Sequence, residues 1–243
     1  LTCYNQSTFS AEGFNITSIF TWYKNGVLNA SSGIMNGTAF DNGLLGYWPF
    51  DNDFYDYKNG FDANSTASLN TSRSMIGRAA ANFPGGGEYI NISNSTAWNF
   101  NNNDFAISLW FYSSISSEGV KGIITNKNLA SSLGGFFIRL DGGAGGPRRT
   151  HVGVEFGNGT SPSYNGAYIT DERWYHMVFT RSGTNFSLYL SNSSSTAGHD
   201  LSTRIDLSFG GIDGLRNGSR GIVLGRDVID RSTTDWRGLI DEL

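Results

Sequence analysis

The sequence predicts an all-β chain built from two packed antiparallel sheets. Short apolar runs alternate with a period of two, and no window sustains a 3.6-residue apolar repeat. Glycine is abundant at 32 residues and proline scarce at 4, and Gly/Asn/Ser clusters punctuate the runs as hairpin turns do. Hydrophobic residues make up 38% of the 243, with 17 Phe, 11 Tyr and 6 Trp, enough for a core built on aromatics.

The elements follow in order. Phe20 to Val27 reads as a strand running through Trp22 and Tyr23 into an Asn25-Gly26 turn, then a second strand, the strongest short-range hairpin signal. Phe105, Ile107, Leu109 and Phe111 share one face of a strand over 105–112. Phe136 to Leu140 repeats the scheme, and Val152, Val154 and Phe156 point inward from a strand over 151–156. Trp174 to Thr180 is apolar on both faces, as a central sandwich strand is. Phe186 to Leu190 and Gly221 to Gly225 complete the set. Together these imply a two-sheet sandwich.

Half of the asparagines, 12 of 24, stand in the acceptor triplet Asn-Xaa-Ser/Thr. They are Asn5, Asn15, Asn29, Asn36, Asn64, Asn70, Asn91, Asn94, Asn158, Asn185, Asn192 and Asn217. Chance placement gives roughly 5. The excess predicts an exported, N-glycosylated protein, extracellular or at the cell surface. In Asn91-Ile92-Ser93 and Asn185-Phe186-Ser187 the acceptor and hydroxyl are expected outside, with Ile92 and Phe186 inside.

Charged residues are few at 16%, and the net charge is −4. That excludes the basic footprint of a nucleic-acid partner and attraction to anionic membranes. No stretch approaches a membrane span, and no signal peptide stands at Leu1, so an exported form would be a mature chain or a piece of one. A lone cysteine, Cys3, suggests a partner outside this chain or a buried thiol.

Residues 1–42 read as a partial immunoglobulin-like β segment. The Trp22-Tyr23-Lys24-Asn25-Gly26 run resembles the central strand and turn of such domains, although the spacing from Cys3 to Trp22 is long and no second cysteine follows. Residues 43–243 carry an ordered series of blocks: Gly43-Leu44-Leu45-Gly46-Tyr47-Trp48-Pro49-Phe50-Asp51, Asp56 to Ala63, Gly77 to Phe83 with Gly87 to Ile90, Phe105 to Phe111, Trp174 to Val178, Asn185 to Ser191, and Gly238-Leu239-Ile240-Asp241-Glu242-Leu243. The series resembles laminin-G-like, concanavalin A-like jelly-roll domains. Tyr57 and Lys58 depart from the small residues usual in that family's first turn, and Leu243 falls inside its closing strand, so the chain reads as clipped.

The resemblance implies a jelly roll and one Ca²⁺ near the rim, with Asp56, Asn59 and Asp241 as ligands beside carbonyls near Gly60. Calcium needs 6–8 oxygens. The alternative is that Asp56 and Asn59 only shape a turn. Trp98, Tyr164, Tyr168 and Trp236 lie near predicted loops and are the candidate sugar-stacking rings.

No catalytic residue is assigned. Glycosidases need two carboxylates across the bond, but Glu155 stands alone and the Asp171 and Glu172 side chains diverge in an extended segment. His151, His176 and His199 are dispersed, with His176 expected to be structural.

A gap without acceptors runs from Asn94 to Asn158, holding Trp110, Phe137 and the loop from Asp141 to Arg149. It reads as a glycan-free contact surface, for self-association or for other domains of a longer chain. The function expected is therefore an extracellular, N-glycosylated structural or adhesive surface protein, a candidate subunit of a filament or array. The alternative is a Ca²⁺-dependent carbohydrate-binding module.

Overall fold

A computed structural model describes residues 23–24, 27–28, 43–93, 95–98, 100, 103–114, 119–127, 135–142, 148–155, 163–192, 203–207, 221–226 and 234–243. The chain divides into two compact units, Leu1–Leu44 and Leu45–Leu243. In the first, β1 (Tyr23–Lys24) pairs antiparallel with β2 (Val27–Leu28), with Lys24 opposite Val27. The rest of residues 1–42, the segment expected to be immunoglobulin-like, lies outside the described residues, Cys3 included.

The second unit holds β3 (Ala63–Ser65), β4 (Ser68–Asn70), β5 (Ala80–Phe83), β6 (Ile90–Ile92), β7 (Phe105–Ser113), β8 (Lys121–Thr125), β9 (Gly135–Asp141), β10 (Arg148–Glu155), β11 (Ser163–Ile169), β12 (Trp174–Ser182), β13 (Asn185–Asn192), β14 (Thr203–Leu207), β15 (Ile222–Leu224) and β16 (Gly238–Asp241). Two 7-stranded sheets form, ordered β11-β10-β9-β8-β15-β6-β3 and β14-β13-β12-β7-β16-β5-β4. Every strand pair in them is antiparallel. The two packed antiparallel sheets expected from the alternation form, and their arrangement is the all-β jelly-roll sandwich that the resemblance implies.

The period-two pattern decides what is buried. Phe136, Ile138 and Leu140 of β9 and Val152 and Val154 of β10 face Leu109 and Phe111 of β7, Met177 and Phe179 of β12 and Phe186 and Leu188 of β13 in one core. Phe179 joins the layers: its ring centroid lies 5.5 Å from Phe136, 5.6 Å from Phe105 and 5.9 Å from Phe186. Burying each such ring contributes about 1.5–3 kcal/mol.

A second, smaller cluster of Ala80, Trp110, Tyr112, Trp174 and Leu239 packs with Met75 on the other face of the β7 sheet. Trp110 is thus buried, not part of a contact surface, and His176 stacks on it at 4.8 Å. Residues 47–50 close the sandwich against the C-terminal strand, through Trp48 N–H to Leu243 O (2.8 Å) and Leu243 N–H to Trp48 O (3.1 Å).

Candidate functional site

Of the calcium ligands implied by the resemblance, Asp56 and Asn59 lie in one turn and Asp241 at the end of β16. The Asp56 carboxylate is buried and accepts four backbone N–H groups: Tyr47 (2.8 Å) and Lys58 (2.9 Å) on Oδ1, Asn59 (3.0 Å) and Phe61 (3.0 Å) on Oδ2. A carboxylate offers about four lone-pair sites, and all are taken. Asn59 is exposed and donates its amide to Leu45 O (2.9 Å). These bonds let the two residues organise the turn, the alternative that the sequence left open. Asp56→Ala is expected to cost about 2–3 kcal/mol in urea denaturation, equally in chelator and in calcium.

Asp241 is different. It is fully buried, its Oδ2 accepts Met75 N–H (2.8 Å) and Ile76 N–H (3.1 Å), and its Oδ1 has no hydrogen-bond partner. Glu242 Oε2 accepts the Tyr47 hydroxyl at 2.5 Å while its Oε1 is buried without a partner. Burial raises Asp241 to about 7, against the two N–H donors and with help from Glu242 and Asp51. Burial likewise raises Glu242 to about 7, opposed by Tyr47 and reinforced by Asp51. Phe50 and Glu242, the neighbours of Asp51 and Asp241, hold left-handed backbone at φ 56° and 55°, a conformation that costs energy in a residue with a side chain. Among the described residues, no group of three or more His, Cys, Asp or Glu side chains is placed to hold a metal ion.

The four aromatic candidates separate by burial. Trp98 is 6% exposed, packs against Trp48 and Phe61, and donates its indole N–H to Ser93 O (3.0 Å). Trp236 is 0% exposed and meets Phe111 edge-on. Both are core residues with no ring face for a ligand, a correction to the expectation. Both loops fold back into the sandwich, and no local periodicity in the sequence signals that. Tyr164 pairs with Val152 in the ladder, and its side chain lies outside the described residues. Tyr168 is 65% exposed, the most exposed of the large apolar side chains described.

Tyr168 stands on a built surface. Successive residues of a strand point to opposite faces, so β9 turns Phe137, Arg139 and Asp141 outward while Phe136, Ile138 and Leu140 enter the core. Register places Phe137 opposite Gly153, Arg139 opposite His151, and Asp141 opposite Arg149. The next ladder places His151 opposite Asn165 and Arg149 opposite Tyr168, with a bulge between Arg149 and His151. Side chains directly opposite lie about 5 Å apart at Cβ. Seven polar or aromatic groups from three strands therefore share one outer face.

This face is rigid by its own bonds. Asp141 accepts Arg139 twice, at 2.8 and 3.3 Å, and His151 Nδ1 at 2.9 Å. His151 Nδ1 also lies 3.0 Å from Asn165 Oδ1, and two acceptors on one nitrogen require that it carry the proton. Burial pushes the Asp141 carboxyl upward, but the hydrogen bonds from His151 and Arg139 outweigh it and hold it below its usual range. Phe137 lies flat under this network. Its ring is parallel to His151 (5.7 Å, 15°), with Arg139 4.7 Å and Lys127 5.7 Å from its centroid. Gly153 leaves the space the ring occupies, since a Cβ there would lie 2.3 Å from Cε1 and Cζ.

Phe137 and the Asp141–Arg149 stretch stood out in sequence only as an acceptor-free gap. His151 was read only as one of three dispersed histidines and Asn165 was not singled out, because their meeting depends on cross-strand register.

Of the acceptor asparagines, Asn64 and Asn185 are exposed, and Asn70 and Asn91 half-buried. Asn64 and Asn91 are direct partners across β3 and β6. Ile92 and Phe186 are buried as expected, but so is Ser187, which lies in mid-sheet between Thr180 and Asp206. Asn5, Asn15, Asn29, Asn36, Asn94, Asn158, Asn217 and the Asn192 side chain lie outside the described residues.

No helix among the described residues is long and apolar enough to cross a membrane. No curated protein matches the chain. Solved structures share its fold at low identity. Domain 4 of AbnA, a GH43 extracellular arabinanase from Geobacillus stearothermophilus, in complex with arabinotriose, is 20% identical with a TM-score of 0.55, covering 82% of this chain and 90% of that one. The receptor binding domain of botulinum neurotoxin mosaic serotype C/D is 13% identical with a TM-score of 0.53, covering 83% of this chain and 47% of that one. The enzymatically active domain of tailspike protein 2 from bacteriophage CBA120 is 12% identical with a TM-score of 0.50, covering 73% and 27%. At these identities the likeness is one of fold. A family model described as the concanavalin A-like lectin/glucanases superfamily matches residues 84–243. The chain belongs to the concanavalin A-like lectin/glucanase superfamily.

Proposed function

We propose that this chain is a carbohydrate-binding module of an exported, N-glycosylated surface protein, and that the outer face of β9, β10 and β11 is its sugar-binding surface. The observation that carries this reading is Tyr168, 65% exposed, opposite Arg149 and beside a preorganised Arg139–Asp141–His151–Asn165 network. Sugar sites pair an open ring with a few fixed polar groups. Fixing those groups beforehand removes the ordering cost that binding otherwise carries. The β9 and β10 residues of the face, Phe137 to His151, lie in the acceptor-free span between Asn94 and Asn158, which supports the same reading, because N-glycans attached there would cover them.

A structural or adhesive role, as a filament or array subunit, remains the competing proposal, and nothing on the β9–β11 face requires it. Electron microscopy of purified material distinguishes the two. A calcium ion enters the proposal only at Asp241 and Glu242, whose buried Oδ1 and Oε1 lack donors. Backbone oxygens and water would complete its shell.

Isothermal titration against an oligosaccharide panel, guided by a glycan array, tests the reading. Tyr168→Ala is expected to weaken the best ligand at least about tenfold with an unchanged melting temperature, since the ring is mostly in water. Unaltered affinity in this variant, or no glycan bound by the wild type, sinks the assignment.

A further inference from the structure

We infer that Asn185 is a glycan acceptor that can be filled only before the second unit folds, whereas Asn70 stays open to modification in the folded chain. This rests on the reading of the chain as exported and N-glycosylated.

The difference lies in what the modifying enzyme must reach. In N-glycosylation the acceptor's Nδ2 bonds to the anomeric carbon of a glycan carried on a lipid phosphate. The bond from that carbon to the phosphate oxygen breaks, the lipid phosphate leaves, and Nδ2 gives up one proton. The triplet Asn-Xaa-Ser/Thr is defined by its hydroxyl, so the enzyme must grip the hydroxyl as well as the amide. Both ends of the triplet therefore have to be accessible together.

Asn185-Phe186-Ser187 fails that condition in the fold. Asn185 is exposed, but Ser187 is 5% exposed and Phe186 1%. Phe186 packs against Phe105 and Phe179. β13 is an interior strand, and Ser187 stands between Thr180 of β12 and Asp206 of β14. The hairpin that carries the triplet is tied at its tip. Gly183 N–H donates to Asp104 Oδ1 (2.6 Å), Arg181 Nε–H donates to Gly183 O (2.8 Å), and the Arg181 guanidinium lies 5.4 Å from the Phe186 ring centroid. Presenting Ser187 to an enzyme requires pulling Phe186 out of the core and parting β13 from both neighbours. A glycan attached before folding meets no such barrier, because Asn185 itself ends up in solvent.

Asn70-Thr71-Ser72 meets the condition. β4 is an edge strand, paired with β5. Thr71 and Ser72 are exposed and Asn70 is half-buried. Asn70 Oδ1 accepts Ser72 N–H (2.9 Å) and Arg73 N–H (3.0 Å), which makes an Asx-turn. These bonds use the amide oxygen and not Nδ2, the atom that takes the glycan. The turn therefore survives the modification.

The test compares two preparations of the 243-residue chain. One is secreted from a eukaryotic host behind a cleavable export signal. The other is folded without glycans, then given purified oligosaccharyltransferase and its lipid-linked donor. Mass spectrometry reads the occupancy of each acceptor. In the secreted chain Asn70 and Asn185 are both expected to be filled. In the folded chain Asn185 should fill at least about twentyfold more slowly than Asn70, because it waits on local opening of the hairpin. Comparable rates at the two sites in the folded chain overturn the inference. An empty Asn185 in a secreted chain that carries glycan at Asn70 also overturns it, and leaves the reading of an N-glycosylated protein standing. A secreted chain with every acceptor bare overturns both.

Discussion

Gly153→Leu is expected to abolish sugar binding, at least about thirtyfold, while the protein stays folded. The Phe137 ring occupies the space over Gly153, with a built Cβ only 2.3 Å from two ring carbons. A leucine there forces the ring off the sheet. The ring carries Arg139 above it and lies parallel to His151, so its displacement breaks the registry among Arg139, Asp141 and His151. Binding then fails because the polar groups no longer hold one geometry. Stability should fall by only about 1 kcal/mol, because Phe137 lies on the outer face and not between the sheets. Titration calorimetry and thermal melting on the same preparation check both halves. Retained affinity would mean that the Phe137 platform does not organise the site.

The chelated protein is expected to lose stability as pH rises from about 4 to 8. Asp241 and Glu242 both have folded values of about 7, against unfolded values near 3.9 and 4.3. The folded state therefore holds protons that the unfolded chain releases. The stabilisation is fully present below the unfolded values and is lost as pH rises through about 7, at roughly 1.4 kcal/mol per pH unit for each group in between. Asp141 has the opposite sign. Its value is lowered, so its contribution is present above about 3.9 and lost as pH falls through its folded value. Together these place the optimum in chelator near pH 4 to 5.

Denaturant titration from pH 4 to 8 checks the slope, and Asp241→Asn should flatten it. Calcium added at pH 8 should recover stability in the wild type and not in Asp241→Asn, since the ion competes with the same protons. A flat profile in chelator would show that the two carboxyls are solvated.

The fold was legible because its signal is local. Alternation at Phe136 to Leu140 and at Ile107 to Phe111 names the buried face without knowledge of the partner strand, and those residues form the core. The burial of Trp98 and Trp236 was not legible. Each lies in a short connection where the sequence reads as loop, and each is buried by its position relative to distant strands. Asp56 was rightly placed in a turn, but its four backbone donors depend on how that turn closes against Tyr47. The candidate site was half legible. Tyr168 stood out as an aromatic near a loop, whereas His151 and Asn165 acquire meaning only when β10 and β11 pair, fourteen residues apart in the chain.

The most direct test of the account is a nitrogen-15 NMR titration with the best-binding oligosaccharide. The account predicts saturable shifts concentrated at the backbone amides of Phe137, Arg139, Arg149, His151, Asn165 and Tyr168. Saturable shifts centred instead on the exposed Tyr55 and Tyr57, which flank Asp56 in its turn, with the β9–β11 amides unmoved, would contradict it.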